Sequence, residues 1–544
     1  MLKMVDDTGI IGVDMVCPLG GIVSPPQPPN YDKIEMEGVG SLMLPNSLKA
    51  PLERLELIGN STQGENPAPD NPQEIKSAGR KSRNLFDITK LKKGAGANYP
   101  TEIELVGETL IAKKDGGTAN QMTFEIELEN LEPNTTYEFT TKQIICKRKD
   151  SDTEKAGTIF SFKAYKNESQ IENKGNVFTT GESESDIYKI IFSVIAGDFG
   201  SLEYVKIEQP MLSHSGGSYE PYSDKYKIDI KVTGKNLFNL TDNYIWGWFA
   251  SHQTQISLYN ENAVVYMPCK PNTTYTIYGR TNINGNNNVK NRVATANDFP
   301  AEGTKLHNIT ETQLSNPVTI TTDELSKYLV IMAVTDNECN INTREQVLKQ
   351  NVSKMMVIIG NTPTPYEPYT EQTLTLTSDR PITKWDKLVE QGGSMGWLYS
   401  GKIAKEFTFV SKASDENISG RIRRRFKTSL NGKFPQTDKV MCNFLTTDNV
   451  RNDYSIGIVG SGDIYIYFYE NTGVETLEQA NHWLKNLPFE KTIIFERKTT
   501  EFVPLSESEQ TQLRNLHSYI GTTNIMVDSG EIPCGIKLTY RKEK

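Results

Sequence analysis

Apolar and polar residues alternate at every second position in many short runs of the chain. The clearest are residues 124–128 (FEIEL), 373–377 (TLTLT) and 463–469 (DIYIYFY). This is the period of a β-strand with one buried face. Gly, Asn and Pro separate the runs, as is typical of sandwiches and barrels. The pattern predicts a mostly β protein.

Helical patterns are best developed in the C-terminal part of the chain. Residues 477–484 and 506–517 are the two best candidates, and Ser506 followed by Glu509 forms a capping box. A last strand is predicted over residues 534–540. The region 371–544 therefore reads as a β-rich α+β module.

An internal repeat is the strongest signal in the sequence. Three motifs recur in the same order, with offsets of 152, 138 and 147 residues. They are Asn84-Leu85-Phe86-Asp87 with Asn236-Leu237-Phe238-Asn239, Pro133-Asn134-Thr135-Thr136-Tyr137 with Pro271-Asn272-Thr273-Thr274-Tyr275, and Tyr219-Glu220-Pro221-Tyr222 with Tyr366-Glu367-Pro368-Tyr369. A period near this length is that of a whole domain rather than of a solenoid unit.

We therefore predict tandem antiparallel β-sandwich modules of the jelly-roll type, followed by the C-terminal β-rich α+β module. The predicted divisions are an N-terminal attachment arm with a Pro-rich spacer (1–50), a β connector (51–80), a first jelly-roll module (81–225), a second (232–370) and the C-terminal module (371–544).

Charge and cysteine usage narrow the classes of function. The formal net charge of -9 argues against nucleic-acid binding, which needs a basic face. The six cysteines lie far apart in sequence and the five histidines are isolated, so we predict free thiols, no metal site and no cofactor. Acids in the first seven residues argue against a secretory signal, and no apolar run is long enough to insert into a membrane.

Several stretches resemble a family of minor structural proteins of bacteriophages and prophages of Gram-positive bacteria. They are residues 57–63 (LIGNSTQ), 69–75 (PDNPQEI), the Asn-Leu-Phe start of a module, 376–388 (LTSDRPITKWDKL) and 504–530. The resemblance implies a virion protein of the tail, baseplate or fibre, made in the host cytoplasm. It also implies jelly-roll modules like those that bind carbohydrate, assembly with other phage structural proteins, and a homotrimer. The implied external partner is host cell-wall glycan.

One run of aromatic residues suits glycan binding. Tyr244, Trp246 and Trp248 alternate along the chain, so a strand would place them on one face, opposite Ile245 and Phe249. Sugar rings stack their C–H surfaces on such aromatic faces. The first repeat has no matching run after Asn84, which favours a functional role. Burial of both faces in a core is the alternative.

One basic run could bind an anion. If residues 421–427 form a strand, Arg421, Arg423 and Arg425 share a face, where guanidinium groups could hold phosphate or the acidic surface of another subunit. A solvated strand or a subunit interface is the alternative.

No motif predicts catalysis. Residues 392–396 (GGSMG) match the G-x-S-x-G pattern of a nucleophile elbow, but the run that follows reads as a strand rather than a helix. We predict that the protein is not an enzyme. A purely structural spacer of the virion and a polysaccharide-degrading tail enzyme remain as alternatives.

Overall fold

The computed structural model describes most of the chain. The described residues are 4–6, 9–11, 31–46, 49–52, 54–94, 98–115, 120–128, 131–183, 186–196, 200–214, 219–240, 243–249, 254–282, 290–314, 316–334, 342–433, 440–447, 453–459 and 462–543. Strands make up 54% and helices 7% of the structure, so the mostly β prediction is confirmed.

The elements follow in chain order. The first strands are β1 (Met4–Asp6), β2 (Gly9–Ile11), β3 (Tyr31–Val39), β4 (Ser41–Asn46), β5 (Glu56–Ile58), β6 (Ser61–Gln63) and β7 (Ile75–Ser77). Next come β8 (Glu102–Val106), β9 (Thr109–Lys113), β10 (Gln121–Leu128), β11 (Thr136–Thr140), β12 (Gln143–Arg148), β13 (Glu154–Lys166), β14 (Ser169–Ile171), β15 (Asn173–Lys174), β16 (Val177–Thr179), β17 (Tyr188–Ala196), β18 (Leu202–Glu208), β19 (Met211–His214) and β20 (Tyr226–Thr233). They are followed by β21 (Tyr244–Trp248), β22 (Ser257–Pro268), β23 (Thr274–Tyr278), β24 (Lys290–Ala296), β25 (His307–Gln313), β26 (Val318–Thr321), β27 (Tyr328–Val334), α1 (Arg344–Val352) and β28 (Met356–Ile359). The last are β29 (Glu371–Ser378), β30 (Lys387–Gln391), β31 (Ser394–Ala404), β32 (Phe409–Lys412), β33 (Glu416–Ile418), β34 (Arg421–Asn431), β35 (Val440–Cys442), β36 (Thr446–Thr447), β37 (Tyr454–Val459), β38 (Asp463–Tyr469), α2 (Leu477–Lys485), β39 (Ile493–Pro504), α3 (Glu507–Asn515), β40 (Gly521–Asp528) and β41 (Gly535–Glu543).

Two sheets built from distant parts of the chain form a central sandwich, here called the hub. One sheet has the order β29-β20-β40-β4 and the other the order β3-β41-β5-β30-β31-β39-β35. Their facing side chains bury a common core that includes Leu44, Leu57, Ile230, Trp397 and Leu538. β3 and β4 lie within residues 1–50, where an attachment arm is predicted. They belong to the hub instead, because their alternate apolar residues pack into this core.

Three units are inserted into the hub, and each leaves and returns at neighbouring residues. The first module is closed at its base by the bridge between Arg80 and Lys227. The second lies between β20 and β29, which pair at Thr233 and Glu371. The third, residues 405–492 apart from the hub strand β35, is here called the C-terminal insert. It starts after Ala404 and returns at Ile493, which pairs with Ala404. The region 371–544 thus contains hub strands as well as an inserted unit.

Both repeats fold as antiparallel β-sandwiches, as predicted. The first has an eight-stranded sheet, β10-β17-β13-β12-β18-β9-β8 with β14 paired to β13, and a four-stranded sheet, β15-β16-β11-β19. The second has a five-stranded sheet, β21-β22-β27-β24-β25, and a three-stranded sheet, β26-β23-β28. The arrangement β10-β17-β13 in the first module corresponds to β22-β27-β24 in the second. The second module has α1 where the first has β18.

The repeated Pro-Asn-Thr-Thr-Tyr motif makes the same hydrogen bonds in both modules. The buried Tyr137 hydroxyl accepts from the backbone N–H of Glu132 at 2.9 Å, as Tyr275 does from Lys270 at 2.9 Å. The asparagines of the motif, Asn134 and Asn272, have φ of 51° and 49°, which the short amide side chain tolerates. The motif is therefore a structural turn rather than a ligand site.

The repeated asparagine before Leu-Phe closes each sandwich. Asn84 accepts hydrogen bonds from the N–H groups of Phe86 and Leu212. Asn236 accepts the equivalent bonds from Phe238 and Val357. Both asparagines are 2% exposed, so these bonds compensate for burying polar backbone.

The C-terminal insert is a sheet, β32-β34-β38-β37-β36 with β33 paired to β34, covered by α2. Both predicted helices are found, and Ser506 and Glu509 form the expected capping box. Gly392 and Gly393, with φ of 60° and 83°, form a two-residue hairpin between β30 and β31. Ser394 therefore starts a strand and does not stand on a nucleophile elbow. No helix among the described residues is long and apolar enough to cross a membrane.

Candidate functional site

Two of the three predicted glycan-binding aromatics meet at the edge of the second module. Tyr244 and Trp246 lie on the edge strand β21, with ring centroids 5.5 Å apart in an edge-to-face arrangement. Both are partly buried against the core between the two sheets. Neither residue is fully buried, so the two could form an aromatic subsite.

Trp248 packs elsewhere. It contacts the separate apolar cluster on the outer face of the five-stranded sheet, together with Ile245. The register of β21 against β22 shifts between Trp246 and Gly247, where β22 has extra residues. An irregularity of this kind changes the local twist and breaks the period of two. The common face expected for all three aromatics is found only for Tyr244 and Trp246.

A cationic side chain lies beside the ring of Trp246. The guanidinium carbon of Arg344, the first residue of α1, lies 4.3 Å from the centroid of a Trp246 ring. This distance is that of a cation–π contact, which holds the indole in place. We call Tyr244, Trp246 and Arg344 the aromatic corner. It combines ring surface for a sugar with donors for hydroxyl or carboxylate groups.

The aromatic corner is specific to the second module. In the first module β10 is the edge strand of its sheet, whereas the corresponding β22 is flanked by β21. The first module also has a strand where the second has α1. Among the described residues of the first module, β10 has no neighbour that corresponds to β21, and a different aromatic–cation pair, Tyr99 with Lys92, lies beside this edge. The two modules therefore share a scaffold but differ in this surface.

A second group of aromatics escaped the sequence analysis. Tyr266, Phe299 and Tyr328 form a triad with centroid separations of 5.3, 6.4 and 5.8 Å, all edge-to-face. Phe299 is 45% exposed and caps the outer face of the sheet. The three residues are about thirty positions apart in sequence, so no local pattern joins them. They extend the cluster that Trp248 contacts.

The three predicted arginines share a row on β34, and each has an acidic partner within the chain. Arg421 pairs with Asp453 at 2.8 Å, and Arg423 and Arg425 pair with the two oxygens of Glu416 at 2.6 and 2.5 Å. Their carboxylate partners offset most of the positive charge of this row. Binding of an anion or of another subunit there stays a prediction.

Two of these arginines also cover tyrosines of the neighbouring strand. Arg421 lies 4.5 Å from the ring centroid of Tyr469, and Arg423 lies 4.3 Å from that of Tyr467. Both rings are buried. The row therefore has a structural role in holding β34 against β38.

Metal-binding clusters are absent from the described part of the chain, where no three His, Cys, Asp or Glu side chains are grouped to hold an ion. The four described cysteines, Cys146, Cys269, Cys442 and Cys534, are free thiols. Burial raises their pKa to about 11 for Cys146 and Cys534 and to about 12 for Cys269 and Cys442. These thiols are protonated and unreactive near neutral pH.

Comparison with known proteins gives little further direction. No protein-family model and no curated protein matches the sequence. Among solved structures, the arabinofuranosyltransferase AftD from Mycobacteria aligns with 80% of this chain and 34% of its own, at 7% identity and a TM-score of 0.11. The chain thus spans about a third of that protein. A likeness this weak carries no argument about fold or function.

Proposed function

We propose that this chain is a structural protein of a bacteriophage tail, baseplate or fibre, and that its second module binds host cell-surface glycan at the aromatic corner. The observation that carries the proposal is the contrast between two modules with the same scaffold. The first module contains no tryptophan, whereas the second has Trp246 on an edge strand beside Arg344. A duplicated scaffold in which one copy acquires an aromatic surface favours specialisation of that copy for binding.

The chemistry of the corner suits recognition without conversion of the ligand. The indole of Trp246 offers a surface for the C–H face of a pyranose, and Arg344 offers directional donors. The proposal assigns no residue a catalytic role. Assembly into a homotrimer with other virion proteins would repeat the corner in each copy, so weak single sites would combine into avidity.

A purely structural role is the second candidate. The base of the first module is fixed by a half-buried ion network in which Arg80 binds both Glu220 and Asp229. A rigid joint of this kind suits a spacer that sets distances along a virion. In that case the aromatic corner would only complete the core of the second module.

Binding to purified Gram-positive cell walls tests the proposal. We expect the intact protein to co-sediment with walls, and Trp246→Ala to weaken binding about tenfold or more. Arg344→Gln removes the cation beside the indole, and it should also weaken binding. Tyr366→Ala is the matched control, because Tyr366 is a 48% exposed aromatic of the same module.

The outcomes separate the candidates. Wall binding that is lost in both corner variants but kept in the control supports glycan recognition. No wall binding at any valency overturns it in favour of the spacer, and release of reducing sugar overturns the non-enzymatic proposal. Immunogold labelling of the virion with antibody against this chain tests the placement, since a receptor binder is expected at the distal end of the tail.

A further inference from the structure

A cleft of about 540 Å³ runs along α2 of the C-terminal insert. Its apolar floor is formed by Val474, Trp483 and Leu487, and its remaining lining is polar: Glu478, Gln479, His482 and Asn486. The volume is within the range of small-molecule sites. An apolar floor with several polar groups is the composition that such sites require.

The polar groups of this cleft are set out by the helix. Glu478, His482 and Asn486 are four residues apart, so they lie on the same side of α2. The side-chain N–H of Asn486 donates to Nε2 of His482 at 2.8 Å. An amide N–H can only donate, so Nε2 accepts this bond in the tautomer that carries its hydrogen on Nδ1. The cleft thus presents a carboxylate acceptor, a ring donor and an amide oxygen side by side.

An aromatic pair links the lining of this cleft to that of a second one. Trp483 stacks on Tyr454, with centroids 5.3 Å apart and planes inclined by 14°, and Phe468 meets the Trp483 ring edge-on at 4.9 Å. Tyr454 in turn lines a cleft of about 600 Å³. Its other lining residues are Asp453 and, from the loop between β6 and β7, Asn66, Pro67, Ala68, Pro69 and Asp70. The stacked pair therefore contributes one ring to each cleft.

We infer that the two clefts form a second saccharide site, in which an uncharged oligosaccharide lies across the Tyr454–Trp483 stack. Sugar rings would pack on the aromatic and prolyl surfaces, and their hydroxyls would exchange hydrogen bonds with Glu478, His482 and Asn486. Hydroxyl groups both donate and accept, which matches a lining that mixes carboxylate, amide and imidazole. The inference extends the proposed glycan recognition to a separate site and does not depend on the aromatic corner.

The charges of the lining select the class of ligand. The described residues that line the two clefts include the carboxylates Asp70, Asp453 and Glu478 and no Lys or Arg. Arg421 pairs with Asp453, which leaves Asp70 and Glu478 as the uncompensated charges nearest the ligand. Polyanions such as phosphate-linked wall polymers would be repelled, whereas uncharged chains bear no such cost.

The test is a titration of the full chain with named neutral tetrasaccharides, in which binding is measured by tryptophan fluorescence and by isothermal calorimetry. The probes are chitotetraose, maltotetraose, cellotetraose and mannotetraose, with polyglycerol phosphate as the anionic probe. We expect saturable binding of at least one neutral probe and none of the polyanion. The double variant His482→Ala/Asn486→Ala should weaken binding about tenfold or more. Both side chains are exposed, so the fold is kept.

Two further variants keep the result interpretable. Lys485→Ala, an exposed change on the same helix outside the cleft, should leave binding unchanged. Trp246→Ala should also leave it unchanged, which distinguishes this site from the aromatic corner. If no neutral probe saturates, if the polyanion binds instead, or if the double variant binds as well as the unaltered chain, the inference is overturned. Failure of wall binding through Trp246 would leave the inference of a second saccharide site unaffected.

Discussion

Arg80 donates two hydrogen bonds of 2.9 Å to the carboxylate of Glu220, 140 residues later in the chain, and so clamps the two ends of the first module together. Lys227 adds a third contact to Glu220 at 2.6 Å. Glu220 belongs to the repeated Tyr-Glu-Pro-Tyr motif. Its counterpart Glu367 makes one ion pair, to Lys235 at 3.0 Å, and is 41% exposed. The same motif therefore anchors the first module more firmly than the second.

Glu220→Gln should lower the free energy of opening the base of the first module by about 2 kcal/mol. The half-buried cations of Arg80 and Lys227 would each lose one carboxylate partner. Glu367→Gln should cost no more than about 0.5 kcal/mol, since its pair is exposed. Hydrogen exchange at β20 and β29 measures both. Equal costs in the two modules would contradict the difference in anchoring.

The same clamp should weaken in acid. Burial favours the neutral form of Glu220, but hydrogen bonds from Lys227 and Arg80 outweigh it, so its pKa lies below the ordinary 4.5. A carboxyl whose pKa is lowered by folding contributes stability above its unfolded pKa and loses it as pH falls through the folded one. The protection of β20 amides, measured relative to their intrinsic exchange rates at each pH, should therefore fall below about pH 4.5 in the unaltered chain. Glu220→Gln should remove that part of the acid response.

Asn84→Asp should destabilise the first module, and Asn236→Asp the second, by about 2–4 kcal/mol each. In each case an amide that donates to a buried carbonyl, Pro210 or Met355, would be replaced by an oxygen that repels it. Proteolysis rates of the two modules report the effects separately. Asn361→Asp, at an exposed position, is the control. Loss of both modules in either single variant would show that they do not unfold independently.

No more than two of the six thiols should react quickly in the native protein. Cys146, Cys269, Cys442 and Cys534 have raised pKa values of about 11 to 12. At pH 8 about one thiol in a thousand or fewer would be ionised at these positions. A coloured thiol reagent, counted before and after unfolding in guanidinium, checks this. Fast reaction of three or more thiols in the folded chain would contradict the burial described above.

Local patterns were sufficient to predict the elements and the repeat. Period-two runs such as 463–469 became strands, and the capping box at Ser506 started a helix, because these signals depend on neighbouring residues. The hub could not be predicted this way. β3 pairs with β41, and Tyr31 meets Glu543 across the whole length of the chain. Nothing in the local sequence of β3 indicates that distant partner.

The residues of the candidate sites likewise differ in whether local sequence could predict them. Tyr244 and Trp246 were found because alternation puts neighbours two apart on one face, while the register shift at Gly247 removed Trp248 from that face. Arg344, Phe299 and Trp483 could not be placed beside their partners, since tertiary packing alone brings them together. Part of the aromatic corner could therefore be predicted from the sequence, whereas the cleft along α2 could not.

Asp386→Asn should lower the stability of the hub by about 3 kcal/mol. The Asp386 side chain is fully buried, and its two oxygens accept four hydrogen bonds: from the N–H and hydroxyl of Thr383, at 2.8 and 2.7 Å, and from the N–H groups of Ser400 and Gly401, at 2.7 and 2.8 Å. An amide offers one oxygen, so its NH₂ group would face two donors. Thr383 and Asp386 therefore have a structural role in the hub.

Chemical denaturation followed by far-ultraviolet circular dichroism measures the loss. Asp379→Asn, seven residues away and 77% exposed beside Lys225, should change stability by no more than about 0.5 kcal/mol. Wall binding by Asp386→Asn below its unfolding transition should equal that of the unaltered chain, because the carboxylate is enclosed in the hub. A variant that stays as stable as the parent but no longer binds would instead assign Asp386 to a ligand site, and it would contradict the structural role of its four hydrogen bonds.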